Sequence, residues 1–309
     1  MGSYHSCVMV QGALQAAMVT MINKFVGGLI EKEDGLVEDG DDILADFKAN
    51  SKSGSTENLI REVVQILTFL TDRLETVASS GHGKQALPVL LESVNTILEK
   101  VPVAIKHNPG FQELLWKRLC PCLIVLLGEP KAEKIANQKT GRPEVAKTGG
   151  SSTSSPHITH AAAKVIYNIA GELASLVGEI PALRPVLESL FHKMLMFPLP
   201  QNRHDALRVV KELMSEPQKV ISLIGSSGAA GEKARGQTNL ALIKLLVDSV
   251  QQCSHCADPG ILYSSVCCVD SLLASLDRIR QGEAIPDSWL KQDKSSKSQG
   301  SLRRSMTSN

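Results

Sequence analysis

Apolar positions in this chain recur by threes and fours over long stretches, the spacing that gathers side chains on one face of a helix. Val10, Leu14, Met18, Met21, Ile22 and Phe25 start the series and predict an opening helix within residues 1–30. The pattern then fails in EKEDGLVEDGDD and KANSKSGSTEN, so residues 31–57 read as an acidic, polar linker. From an N-cap at Asn58, the positions Leu59, Val63, Ile66, Leu70, Leu74 and Val77 predict a helix that ends at SSGHG. A second helix, from about Gln85 to Ile105, carries Leu87, Leu91, Val94, Leu98 and Val101, and the two form an antiparallel hairpin.

Beyond the Asn108-Pro109-Gly110 turn, Phe111, Leu114, Leu115, Leu119, Leu123 and Leu126 leave little polar circumference, which predicts a central helix. Pro121 lies inside it, where a missing N–H and a clash with the Lys117 carbonyl predict a kink. Residues 58–127 are thus helical hairpins, and 128–156, ending in TGGSSTSSP, a low-complexity linker. Residues 157–282 repeat the scheme, with helices from about Thr159 to Val177, Pro181 to Phe197, Asn202 to Ser215, Thr238 to Cys253 and Pro259 to Arg280, and a short turn from Gln218 to Ile224. A disordered tail is expected over 283–309. The predicted fold is all-α: an armadillo- or HEAT-like superhelical stack of helical hairpins with polar disordered inserts.

Composition narrows the function classes. With 43% apolar residues in 309, the chain can bury a sizeable core, and 4% aromatics suits helix-on-helix packing. Thirty-three Lys and Arg against 32 Asp and Glu give a net charge of +1, which argues against a nucleic-acid partner. Seven cysteines, mostly within apolar runs, fit a reduced, intracellular compartment. The N-terminus lacks the pattern of a secretory signal, and no stretch is expected to reach the length and apolarity of a membrane span, so a soluble chain is anticipated.

Three stretches, QAAMVTMINKF at 15–25, FQELLWKRLCPCLIVLLGEP at 111–130 and the helical run AAAKVIYNIAGELASLVGEI onward at 161–225, resemble the N-terminal armadillo-like region of the large Arf guanine-nucleotide exchange factors. The resemblance spans most helical residues between about Gln15 and Gln281 and skips the polar inserts. It implies that exchange activity belongs to a separate Sec7 domain, whose catalytic glutamate sits in a Phe-Arg-Leu-Pro-Gly-Glu-Ala-type loop; no such stretch occurs here. It implies a regulatory or scaffolding role, with self-association, contacts to other domains of the parent protein and to an Arf-like small GTPase, and peripheral recruitment to Golgi or secretory-vesicle membranes from the cytoplasm. It also implies a fragment, a truncated gene model or a short isoform. The alternative is an armadillo- or HEAT-repeat adaptor unrelated to Arf signalling.

No catalytic or cofactor-binding set emerges. Cys253, His255, Cys256 and Cys267, with Cys268 adjacent, offer the ligand types of a zinc site, but neighbouring helical residues point about 100° apart. Burial as small apolar side chains is the preferred reading, for these and for Cys120 and Cys122. His157, His160, His192 and His204 are scattered without a fixed acid or thiol partner, and GSSGAAGEK lacks the ending of a phosphate loop. Gly2 stands in a context suited to myristoylation, and Ser301, Ser305 and Thr307 flank Arg303 and Arg304 as phosphorylation candidates. Met196 and Phe197, beside Pro198-Leu199-Pro200, are a candidate interaction patch.

Overall fold

The computed structural model describes residues 45–80, 83–128, 158–196, 200–224 and 240–283, together with Thr20. Apart from Thr20, the predicted opening helix, with both linkers beyond these bounds and the tail past Glu283, lies outside the described residues. Among the described residues no strand is present; the helices are α1 (Ala45–Ser80), α2 (Leu87–Glu99), α3 (Val103–Lys106), α4 (Pro109–Leu114), α5 (Cys120–Leu126), α6 (His160–Ser175), α7 (Arg184–Met196), α8 (Pro200–Met214), α9 (Pro217–Ile224), α10 (Ala241–Ser254) and α11 (Pro259–Arg280).

These helices form two layers. One runs α1, α5, α7, α10 and the other α2, α6, α8, α11, each helix packing on the next in its layer. Across the layers α1 packs on α2 as the predicted hairpin, α6 packs on α7, α7 on α8 and α10 on α11, and short α9 wedges against α6, α8, α10 and α11. One continuous apolar core joins them, from Leu67, Leu70 and Leu74 on α1 through Phe111 and Leu115 to Ile166, Phe191, Leu207 and Leu246. The all-α stack of hairpins read from the sequence is therefore the fold.

Polar residues set the boundaries. Asn108 Oδ1 accepts from Phe111 N at 3.0 Å to start α4, and Thr159 Oγ1 from Ala162 N at 3.3 Å to start α6. Asp258 Oδ1 takes the N–H groups of Gly260 and Ile261, at 2.8 and 3.2 Å, to start α11. Where α6 crosses α8 the backbones come close: a Cβ at Gly171 would lie 3.0 Å from Val209 Cγ1.

Several boundaries differ from the sequence reading. The first helix is already under way at Ala45 rather than capped at Asn58. The helix expected over 85–105 ends at Glu99, since Pro102 cannot continue it, and resumes as the short α3. Ahead of Pro121 the chain adopts a π turn, Leu115–Leu119, in which Cys120 N donates to the Leu115 carbonyl. That wider turn spans the Lys117 carbonyl that proline leaves without its usual donor. Finally, α11 is long and apolar enough to cross a bilayer, contrary to expectation. Its charged residues all fall at or after Asp270, which leaves a long uncharged stretch ahead of them.

Candidate functional site

The cysteines that suggested zinc take separate packing roles. Cys253 is buried, with Sγ 3.7 Å from the Leu195 carbonyl, while Cys268 is buried on the other layer, with Sγ 3.3 Å from the Leu207 carbonyl. Half-buried Cys256 lies 3.8 Å from Arg203 Nη1, Cys267 sits beside Tyr263, and His255 is exposed at the end of α10. Among the described residues no three His, Cys, Asp or Glu side chains converge as a metal would need. Burial pushes the thiols of Cys120, Cys122 and Cys268 up to about 12, and that of Cys253 upward, so none is a ready nucleophile.

Two histidines do find acids. His160 Nε2 is 2.9 Å from Asp205 Oδ2, where α6 meets α8. His204 has Ser264 Oγ 3.4 Å from Nδ1 and Asp258 Oδ1 4.0 Å from Nε2. The second set has the residue types of an acyl-transfer triad without its geometry. The carboxylate is committed to capping α11, and both contacts are too long for proton relay. Met196 packs partly against the core, and its carbonyl accepts from Arg203 Nη2 at 3.4 Å; Phe197 lies outside the described residues, as do His157, Gly2, Ser301, Ser305 and Thr307.

Two surfaces remain that the sequence reading missed. A polar groove of about 260 Å³ crosses α2, α6 and α8. Arg208 spans it, with Nη2 3.0 Å from Asn168 Oδ1 and Nη1 2.7 Å from Glu212 Oε1. Glu172 lies in its floor; burial raises its pKa, helped by Glu99, Glu216 and Glu212 and opposed by Lys219. The second is an apolar groove of about 580 Å³ between α10 and α11, walled by Val247, Val250, Leu262, Val266, Val269 and Leu273. Its signal was present: Leu262, Val266, Val269 and Leu273 form an apolar stripe on α11 one residue along from the Ile261, Ser265, Cys268 and Ser275 face, and burial of that face does not account for it.

No protein-family model matches the chain, and no solved structure does. Curated proteins do. The chain is 30% identical over 297 residues to brefeldin A-inhibited guanine nucleotide-exchange protein 3 of Homo sapiens, which covers 89% of this chain and 13% of that protein. To the protein of the same name in Mus musculus it is 28% identical over 302 residues, covering 91% of this chain and 14% of the relative. The chain thus spans about one-seventh of the length of the curated relatives it matches. The resemblance carried by its helical stretches is a homology, and this helical array is a homologue of one segment of a large Arf guanine-nucleotide exchange factor.

Proposed function

We propose that this chain is a non-catalytic regulatory and scaffolding helical-repeat region of an Arf guanine-nucleotide exchange factor-like protein, acting in Golgi or secretory-vesicle traffic without a Sec7 domain of its own. The observation that carries the reading is the collinear homology, which matches nine-tenths of this chain to a small part of an exchange protein. The described helices support it, since the Cys253 and Cys268 thiols are buried against carbonyls and the contacts of His204 are too long for proton relay. An array of stacked hairpins offers long side-by-side helix faces, which act by binding. Its partners are proteins: other domains of the parent protein, a second copy, or an Arf-like small GTPase, met in the cytoplasm or peripherally at Golgi or secretory-vesicle membranes. No nucleic acid is among them.

A nucleotide-release assay on Arf proteins, with the purified chain added, tests the catalytic half of this reading. No acceleration is expected, and any catalytic turnover would overturn it. Co-purification from cells tests the other half. Recovery of membrane-trafficking proteins is expected, and their absence would favour an adaptor outside Arf signalling.

A further inference from the structure

We propose that the groove between α10 and α11 seats one amphipathic helix of a protein partner that carries lysine or arginine beside its apolar stripe. This deepens the binding role proposed above and rests on it. Along α11, Leu262, Val266, Val269, Leu273 and Leu276 follow one another at steps of four, three, four and three. All five are between 41 and 61% exposed. A repeat averaging 3.5 residues is that of a seam that receives another helix lengthwise, with side chains interlocking. The face of α11 about 100° round from this stripe is already occupied: Ser275 Oγ donates to the Met214 carbonyl at 2.6 Å, and Ile261, Ser265 and Cys268 are buried. Val247 on α10 supplies the facing wall.

Charge selects the occupant. Asp270 is the one charged residue among the described residues lining the groove. It is exposed and has no ion-pair partner among the described residues. A basic side chain flanking the incoming stripe would pair with it at the groove edge. A second copy related by a two-fold axis near the middle of the stripe would instead set Asp270 against its counterpart, and an anionic membrane would meet Asp270 as a like charge.

The test uses the whole chain and three fluorescent peptides. Two are synthetic helices of about 18 residues with leucine on one stripe, flanked in one by lysine and in the other by glutamate; the third corresponds to residues 10–25. Anisotropy titrations should show the lysine-flanked helix binding tightest, by about fivefold over the glutamate-flanked one at low salt. Asp270→Lys should reverse that order. Leu273→Glu should abolish binding while leaving the helical circular dichroism and melting unchanged, because the side chain is exposed.

Equal affinity for the two synthetic helices, absence of binding, or binding that survives Leu273→Glu would overturn the proposal. So would tighter binding of the 10–25 peptide, a dimer that Leu273→Glu dissolves in sedimentation velocity, or vesicle flotation lost with the same substitution. These outcomes assign the groove to the chain's own segment, a second copy or a lipid surface. Acceleration of nucleotide release would sink the functional reading alone, so the two failures are distinguishable.

Discussion

Arg184, at the start of α7, donates from Nη1 to the carbonyl of Leu223 at 2.6 Å, and its Nη2 reaches the Ser222 carbonyl at 2.8 Å. The last carbonyls of α9 have no donor within their own helix, and a planar fork of N–H groups from the neighbouring repeat satisfies two of them. Burial lowers the pKa of this guanidinium, but arginine starts far enough above neutrality to stay charged.

Arg184→Met should therefore destabilise the chain by about 3 kcal/mol in urea unfolding, since charge-assisted bonds are lost and buried carbonyls are left bare. Arg184→Lys should recover only part of that loss, because an ammonium cannot serve both acceptors at once. A cost within experimental error for the methionine variant would remove the cap from any account of stability.

Ser275 joins α11 to α8 by donating to the Met214 carbonyl, in a setting where both groups are buried. Ser275→Ala should cost about 1 kcal/mol. Gly171→Val should cost about 1–3 kcal/mol by prying α6 from α8, where even a Cβ would press on Val209. The two sites lie on different helix crossings, so a double variant measured by denaturant titration should show near-additive losses.

Glu172 should make stability fall as pH rises through the carboxyl range. Its folded pKa is raised by burial, so the native state holds the proton more tightly than the unfolded chain does. The associated stabilisation is full below the unfolded pKa and is lost as pH climbs past the folded one. Glu172→Gln should accordingly raise the urea midpoint at about pH 7 and change it little at about pH 4. An equal change at both would assign the effect to packing.

Alkylation should sort the thiols by burial. In the native chain, Cys256 and Cys267 should react with iodoacetamide well before Cys120, Cys122, Cys253 and Cys268, as read by peptide mass spectrometry after timed quenching. Denaturant should bring all six to a common rate. Native-state labelling of Cys120 at the rate of Cys267 would show that the central helix opens locally.

How much of this was legible beforehand depends on the element. Residues 259–280 read correctly because Asp258-Pro259 is a strong start signal and no glycine or proline interrupts the run after Gly260. The break at Pro102 was hidden because the apolar series continues across it through Val101 and Ile105, so periodicity outweighed the missing N–H. The start of α1 was misplaced because Asn58 has a cap's chemistry, and only the surrounding chain decides whether the backbone there is already helical. Cys253 and Cys268 show the limit for sites. Their nearness in sequence is visible, but they lie on helices of different layers and each thiol faces a carbonyl there. The groove was missed for a related reason: an apolar stripe announces contact without saying whether its partner is in the same chain.

The two-layer arrangement carries a mechanical consequence. Because each layer contacts itself mainly between successive helices, tension applied to the two ends would be shared among many interfaces, each flexing by a small angle. The array then behaves as a leaf spring. A load on it would be spread along the stack instead of falling on one joint.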